Sequence, residues 1–210
     1  MSKHRIPIWG ECMNPDNNTL QYYEQHADAF VQSTMNADMN EPRDRFLKHL
    51  PSGAFILDLG CGSGRDAKAF LDGGYRVDAV DGSAELCRIA SELTGIHVRQ
   101  MLFQDLCAED LYDGIWACAS ILHLPKDRLR EVLHKVTAAL KKDGILYTSF
   151  KYGTFEGLRS DRYFTDFTEA TLAEFWTAFP ALPIIETWIT RDVRPGREEE
   201  QWINLLAKRI

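Results

Sequence analysis

The sequence predicts an α/β protein in which helices cover both faces of a mostly parallel sheet. Short apolar runs typical of buried strands alternate with stretches whose apolar residues recur at helical spacing. That alternation is typical of parallel sheets covered on both faces. The first strand also runs directly into the glycine-rich stretch GCGSG at residues 60–64. Because ligands of open α/β sheets bind beyond the carboxyl ends of the strands, this turn predicts a ligand site.

Seven segments are predicted as strands, because each is a short, largely apolar run and several are closed by glycine or polar residues. The first five are separated by helices or by polar connections, and the last two follow each other near the C-terminus. The predicted strands cover residues 54–60, 75–81, 96–102, 113–120, 145–150, 183–190 and 201–209.

Helices are predicted where apolar residues share one face and capping residues mark the ends. The helix over 83–95 is expected to begin with Ser83 as its N-cap. The clearest helical pattern covers 125–144, with Leu140 in its apolar stripe and Gly144 as its stop. The remaining predicted helices cover residues 19–32, 42–50, 65–74 and 168–180.

The chain is predicted to form a single domain over 1–210, since 210 residues suffice for one core and not comfortably for two. Residues 1–50 carry two amphipathic helices and are expected to form a helical extension or lid. They precede a core over 51–210. Within that core, residues 151–167 are interpreted as a long irregular cap, rich in aromatic residues and arginine.

Composition disfavours two classes of partner. There are 31 acidic and 24 basic residues, and no basic run resembles a nucleic-acid-binding arm. No stretch approaches the roughly 18 apolar residues of a membrane span, and the N-terminus lacks the apolar core of a signal peptide. The five cysteines are widely spaced and include no CxxC pair, which argues against a disulfide framework or a metal site. The sequence predicts a cytoplasmic protein with a small-molecule substrate and leaves its oligomeric state open.

The residues alone leave the cofactor open. The dinucleotide pattern G-x-G-x-x-G/A fits only in a shifted frame, at Gly62, Gly64 and Ala67. Asp81 follows the second strand, where the ribose of either a dinucleotide or another nucleoside would be held. An NAD(P)-dependent oxidoreductase and a nucleoside-binding protein without transferase activity are therefore both alternatives.

Several motifs, in order, resemble those of class I S-adenosylmethionine-dependent methyltransferases. LDLGCGSGRD resembles the first motif, in which an acid, here Asp58, precedes three alternating glycines. VDAVDGS is similar to the second motif, and QDL at 104–106 resembles the adenine-contacting turn. The likeness is tight over residues 50–152 and loose beyond. It implies a Rossmann-like three-layer sandwich with seven strands, the last antiparallel, and methyl transfer from S-adenosylmethionine to a small molecule.

The resemblance also implies which residues hold that cofactor. Asp58 would orient the glycine turn, Arg65 would lie near the cofactor carboxylate, and Asp81 would bind the ribose. A tyrosine of the first helix, Tyr22, would cover the cofactor, whereas Tyr23 is expected in the core. The implied cofactor-binding residues are Tyr22, Asp58, Gly60, Cys61, Gly62, Arg65, Asp81, Gly82, Ser83, Gln104, Asp105, Leu106, Ala119 and Ser120.

The acceptor site is less defined by the sequence. His123 follows the fourth strand and is the candidate general base, should the acceptor need to lose a proton. Four residues of the expected cap are candidates for binding an anionic or aromatic substrate: Lys151, Tyr152, Arg162 and Tyr163. A narrower likeness, carried by YYEQHADAF, SGRD and SFKYG, is to small bacterial enzymes grouped with the tellurite-resistance methyltransferases. That grouping implies no particular substrate.

Overall fold

The structure is a computed structural model that describes residues 15–194 and 196–210. Seven of the nine strands in this part of the chain form one sheet, in the order β3-β2-β1-β4-β5-β9-β8, and β6 pairs with β7 in a separate hairpin. The strands are β1 (Phe55–Leu59), β2 (Arg76–Asp81), β3 (Arg99–Gln100), β4 (Tyr112–Ala117), β5 (Leu140–Lys151), β6 (Glu156–Arg159), β7 (Arg162–Thr165), β8 (Ile184–Arg191) and β9 (Gln201–Lys208).

The strand directions confirm the predicted sheet. β1 runs parallel to β2 and β4, and β4 runs parallel to β5. The last strand, β9, lies antiparallel between β5 and β8. The third predicted strand is much shorter than expected, because only Arg99 and Gln100 pair with β2 at the edge of the sheet.

Seven α-helices occur in the described part of the chain, and the predicted end signals hold for several of them. The Ser83 hydroxyl accepts a hydrogen bond from the Leu86 amide at 3.2 Å and so caps its helix. The single helix predicted over 19–32 is instead two helices that meet at His26. The helices are α1 (Pro15–Gln25), α2 (Ala27–Thr34), α3 (Asn40–Leu47), α4 (Arg65–Asp72), α5 (Ala84–Thr94), α6 (Lys126–Ala139) and α7 (Glu169–Trp176).

The predicted end of α6 at Gly144 is wrong. The helix stops at Ala139, and Leu140 already pairs with Tyr112 of β4 in the sheet. Two of the last helical carbonyls, those of Ala138 and Ala139, accept backbone amides from the segment before β4. Because these carbonyls are satisfied by a neighbouring segment, the helix needs no glycine to end it.

The connection expected to be irregular over 151–167 contains the β6–β7 hairpin. Its turn uses Ser160 and Asp161, at φ of 50° and 62°. Two-residue hairpin turns often need such positive φ values, and the sequence lacks the glycine that usually signals them. The amide of Tyr163 in β7 donates to the Thr19 hydroxyl of α1 at 3.0 Å. The hairpin therefore joins the N-terminal helices on one side of the sheet.

Alternate residues of β1 fill the two apolar layers on either face of the sheet. Leu57 packs in the cluster that includes Leu133 of α6, whereas Ile56 packs in the cluster that includes Phe46 of α3. Among the described residues, none of the helices is long and apolar enough to span a membrane.

Candidate active site

A cavity of about 670 Å³ lies at the carboxyl ends of the parallel strands. It is lined from the sheet side by Asp58 of β1, Asp81 of β2 and Ser149 of β5, and from the opposite side by residues of α1 and of the β6–β7 hairpin. Its volume is in the range of small-ligand sites, and its position is the one at which open α/β sheets bind ligands.

The glycine turn forms one wall of the cavity and leaves no room for side chains at two positions. Gly60 and Gly62 have φ values of +79° and +55°. A Cβ at Gly60 would lie 2.5 Å from Ser120 Cβ, and one at Gly62 would lie 2.9 Å from the Phe30 ring. Glycine is required here for its conformation and for space. The backbone of the turn consequently lies directly against Ser120 and against the Phe30 ring.

Asp81 links the glycine turn to the end of β2. Its Oδ2 accepts the Gly62 amide at 2.9 Å, and its Oδ1 accepts the Ser83 amide at 2.9 Å. Burial raises the pKa of this carboxyl group, although these backbone donors oppose the shift. A carboxylate offers about four acceptor positions, so Asp81 retains capacity for a hydroxyl group in the cavity.

Asp58 carries the clearest unmet hydrogen-bonding group of the site. Its side chain is buried, and Oδ2 has no hydrogen-bond partner among the described residues. Burial and the nearby Asp66 raise the pKa of Asp58 well above its usual value. A buried carboxyl oxygen without a donor costs free energy, so its position at the cavity points to a donor on a ligand.

Arg65 lies beside Asp58 in a tightly bonded cluster. Its Nη2 donates to Asp66 at 2.7 Å, and its Nη1 donates to the Thr34 carbonyl at 3.0 Å. Asp66 also accepts hydrogen bonds from the Arg43 guanidinium and the Trp116 indole. Although burial opposes it, the guanidinium groups of Arg65 and Arg43 hold the pKa of Asp66 below its usual value.

A second group of polar side chains lies under the N-terminal helices. The Tyr23 hydroxyl is 2.9 Å from Nε2 of His123, and Nδ1 of His123 is 2.6 Å from the Tyr163 carbonyl oxygen. Because a carbonyl oxygen only accepts, Nδ1 carries the proton and Nε2 accepts the Tyr23 hydroxyl. Burial lowers the pKa of His123 to about 4 and raises the pKa of Tyr23. The imidazole is therefore neutral near pH 7.

The far end of the cavity is closed by an ion-pair network between β5 and the segment before β9. Lys151 Nζ donates to Asp192 at 3.1 Å and also to Glu200. Asp192 further accepts Arg194 and the Trp202 indole. Although burial opposes the shift, the hydrogen bonds from Arg194 hold the pKa of Asp192 far below its usual value.

Comparisons with known proteins agree with this geometry. Residues 56–144 match the family model of a methyltransferase domain. The ubiquinone biosynthesis O-methyltransferase of Haemophilus ducreyi is 28% identical over 155 residues, which are 65% of this chain and 64% of that protein. The chain thus spans less than two thirds of that relative's length.

Two solved structures share the fold. The 1,6-didemethyltoxoflavin-N1-methyltransferase of Burkholderia thailandensis was solved with bound 1,6-didemethyltoxoflavin and S-adenosylhomocysteine. It superposes with a TM-score of 0.74 at 24% identity, over 97% of this chain and 93% of that one. The N-methyltransferase NodS of Bradyrhizobium japonicum, also with S-adenosylhomocysteine, gives 0.71 at 14% identity, over 91% and 98%.

Residues 56–144 therefore match a methyltransferase domain, and the described chain has the fold of S-adenosylmethionine-dependent methyltransferases. S-adenosylmethionine is the cofactor of this class of domain. The narrower likeness to tellurite-resistance methyltransferases is not tested by these comparisons and stays a prediction.

The cavity of this methyltransferase domain brings together most of the residues that the sequence singles out. Their roles toward a bound cofactor or acceptor stay predictions, but their common location is a property of the fold. The predicted site residues that line the cavity are Asp58, Gly60, Cys61, Gly62, Arg65, Asp81, Gly82, Gln104, Ala119, Ser120, His123, Lys151 and Arg162.

The structure places four tyrosine side chains differently from the sequence prediction. Tyr22 stacks on His26, and the tyrosine that faces the cavity is Tyr23, which was expected in the core. Tyr152 directs its hydroxyl to Glu169 outside the cavity. Tyr163 contributes its backbone carbonyl to the site through His123, and its hydroxyl bonds to Glu156.

Three further predicted cofactor residues also lie outside the main cavity. Ser83 is used as a helix cap, and its hydroxyl donates to Glu24 at 2.6 Å. Leu106 is buried in the apolar core. Asp105 lines a shallow groove that adjoins the cavity at Gly82.

The sequence did not reveal Tyr23, Asp192 and Arg194 as cavity residues. Tyr23 bonds to a side chain 100 positions away, and Lys151 bonds to Asp192 across 41 positions. No local motif marks such residues, because their positions depend on how distant segments pack.

Proposed function

We propose that this protein transfers the methyl group of S-adenosylmethionine to a small-molecule acceptor. One observation carries the proposal: the buried Oδ2 of Asp58 lacks a partner among the described residues and lies at the cavity beside the glycine turn. Such an oxygen needs a donor, and the amino-acid end of S-adenosylmethionine carries an ammonium group. The family match over residues 56–144 supports the same assignment.

The residues present fit that cofactor along its length. Asp58 would accept a hydrogen bond from the ammonium group. Arg65 keeps N–H groups that can bind the cofactor carboxylate, since three of its five N–H groups donate to other described residues. Asp81 would accept from a ribose hydroxyl. When bound, S-adenosylmethionine supplies an electrophilic methyl group on a sulfonium centre.

The same carboxyl groups argue against a dinucleotide. A pyrophosphate at the glycine turn would face Asp58 and Asp81, whose pKa values burial already raises. Adding the two negative charges of a pyrophosphate beside these buried carboxyl groups costs more free energy than adding the amino-acid end of S-adenosylmethionine, whose ammonium and carboxylate groups sum to zero charge.

Tyr23 and His123 form the proposed proton path at the acceptor end of the cavity, which is the part lined by α1 and the β6–β7 hairpin. As the acceptor's nucleophilic atom gains the methyl group, its own proton becomes strongly acidic. The Tyr23 oxygen accepts this proton and passes its own to Nε2 of His123, 2.9 Å away. The Tyr163 carbonyl holds the resulting imidazolium through Nδ1. Because the pKa of His123 is about 4, the Tyr23–His123 pair is too weak a base to deprotonate the acceptor beforehand. It takes up the proton only as the methyl group is transferred.

The N-terminal helices and the hairpin are proposed to exclude water from this site as lid and cap of a single domain. Leu20 of α1 lies over Gly82, where an added Cβ would be 2.4 Å from it. The Thr34 carbonyl at the end of α2 accepts Arg65. We also propose a cytoplasmic location, for which the cysteine pattern of the sequence is the support.

The test combines binding and turnover. Calorimetry is expected to show binding of S-adenosylhomocysteine in the micromolar range and none of NADH. Transfer of labelled methyl to a panel of small acceptors should then be lost about 100-fold in Tyr23→Phe and retained in Tyr22→Phe. Absence of S-adenosylhomocysteine binding would overturn the proposal, and binding without transfer to any acceptor would favour a nucleoside-binding protein.

A further inference from the structure

Arg162 differs from the other cationic side chains that line the cavity. Its Nε is buried and has no hydrogen-bond partner among the described residues, and none of the ion pairs found there includes it. Arg65, Lys151 and Arg194 each bind a carboxylate at 3.1 Å or less. Among the described residues, Arg162 is therefore the partly buried cation of the cavity that has no carboxylate partner. Arg191 also lines the cavity, but that residue is exposed to solvent.

Aromatic rings surround the Arg162 guanidinium without satisfying its donors. Its central carbon lies 4.4 Å from the centroid of Tyr22, 5.2 Å from that of Phe164 and 5.8 Å from that of Tyr23. Ring faces stabilise a cation but offer no in-plane acceptor to the N–H groups. Within the described residues, the one side-chain hydrogen bond of the guanidinium is long, at 3.5 Å from Nη1 to the Tyr23 hydroxyl.

This cation lies at the acceptor end rather than at the cofactor's amino-acid end. The charges that act on Asp58 are those of Asp66, Arg65 and Asp81, whereas the charge that acts on His123 is that of Arg162. Arg162 thus lies beside the Tyr23–His123 pair, and Arg65 lies beside Asp58.

We propose that the methyl acceptor is a small aromatic monoanion whose carboxylate binds Arg162 while its nucleophilic atom lies at Tyr23. This inference rests on the proposed methyl transfer. A single unpaired guanidinium matches one negative charge, and its planar fork matches a carboxylate. The rings of Phe30, Phe164 and Trp202 line the same cavity and provide apolar contact for an aromatic skeleton.

The experiment uses benzoate and its neutral analogue benzamide as probes, titrated into the protein saturated with S-adenosylhomocysteine. Benzoate is expected to bind at least fivefold more tightly than benzamide. Arg162→Gln should weaken benzoate about tenfold and leave benzamide unchanged, because it removes a charge-assisted hydrogen bond. Arg159→Gln is the matched control: Arg159 is on the same hairpin and also contacts Phe164, but it pairs with Asp166 and does not line the cavity.

Other outcomes would overturn the inference. Equal affinity of wild type for the two probes, or equal losses of benzoate affinity in Arg162→Gln and Arg159→Gln, would assign Arg162 to packing. Weaker S-adenosylhomocysteine binding in Arg162→Gln would assign it to the cofactor carboxylate. Should Arg162→Gln not fold, Arg162→Lys replaces it and should keep part of the benzoate preference. If wild type does not bind S-adenosylhomocysteine, the proposed function fails, and the two probes titrated into the protein alone still decide whether Arg162 binds an anion.

Discussion

The two ends of the cavity are built in different ways. At the proposed cofactor end, the glycine turn lies beside carboxyl groups at the ends of neighbouring strands: Asp58 is the penultimate residue of β1, and Asp81, the last residue of β2, accepts the Gly62 amide. At the acceptor end, side chains from distant segments meet, as Tyr23 and His123 do across 100 positions. The geometry of the cofactor end therefore follows from the fold itself, whereas the chemistry of the acceptor end depends on a few side chains that can be replaced.

The two ends should therefore respond differently to substitution. Steric constraints on the glycine turn affect the sheet on which the whole domain depends. Hydrogen bonds and charges at the acceptor end affect protonation and selectivity with small costs in stability. Four substitutions, taken from the largest expected effect to the smallest, test this contrast.

Gly60→Ala should be the most damaging. The new Cβ would lie 2.5 Å from Ser120 Cβ at a φ of +79°. Left-handed strain of about 1–2 kcal/mol and overpacking of about 1–3 kcal/mol together predict a loss of about 2–5 kcal/mol in the free energy of unfolding. Chemical denaturation measures it. Gly74→Ala is the matched control, because its φ of +82° is similar and nothing lies within 4 Å of the added Cβ. Equal losses in the two variants would show that packing at the turn is unimportant.

This contrast also explains what could be predicted from the sequence. The seven-stranded sheet and the Ser83 cap were predictable, because they depend on patterns of neighbouring residues. The end of α6 was not, since Leu140 leaves the helix to pair with Tyr112. The β6–β7 hairpin was missed because its turn places Ser160 and Asp161, rather than glycine, at positive φ.

The site divides along the same line. Most predicted cofactor residues line the cavity because they lie at or shortly after the carboxyl end of a strand, and parallel strands end at one edge of the sheet. Helical periodicity predicted Tyr23 in the core, and the family resemblance implied that Tyr22 covers the cofactor. Tyr23 instead faces the cavity, because His123 and Arg162 lie where the hairpin packs on α1. That packing is a tertiary contact with no local signal.

His123 should make the stability of the protein depend on acidity. Its pKa is about 4 in the folded protein against 6.5 ordinarily, so the unfolded chain binds the proton first. The stability contributed by the neutral ring is present above pH 6.5 and is lost as the pH falls through 4. Between pH 7 and about pH 4.5, His123→Gln should lose about 2–3 kcal/mol less unfolding free energy than wild type. Identical pH profiles would contradict the buried neutral imidazole, and NMR titration of the ring checks its protonation directly.

Asp58→Asn should separate binding from stability at the cofactor end. Loss of the carboxylate is expected to weaken S-adenosylhomocysteine about tenfold, because a charge-assisted hydrogen bond to the ammonium group is lost. The raised pKa of Asp58 has the opposite consequence for the free protein. Its contribution to stability is present below the ordinary pKa of 3.8 and is lost as the pH rises through the higher folded value.

The free Asp58→Asn protein should therefore be more stable than wild type at pH 8 and should gain less on acidification. Calorimetry and thermal unfolding measure the two effects. A variant that binds S-adenosylhomocysteine normally would refute the assignment of the orphan oxygen to the ammonium group.

Tyr23→Phe should have the smallest effect on stability and the most local one. The substitution keeps the ring packed against Phe30 and removes one neutral hydrogen bond, a loss of about 1 kcal/mol. The hydroxyl donates to Nε2 and so favours the neutral imidazole, which means that its removal should raise the pKa of His123. NMR titration of the imidazole resonances measures the shift. Tyr22→Phe is the control on the adjacent position, because Tyr22 stacks on His26 and leaves His123 untouched. If both variants raised the pKa of His123 equally, the pair would be coupled through the packing of α1 rather than through the hydrogen bond, and the proton path at the acceptor end would lose its first member.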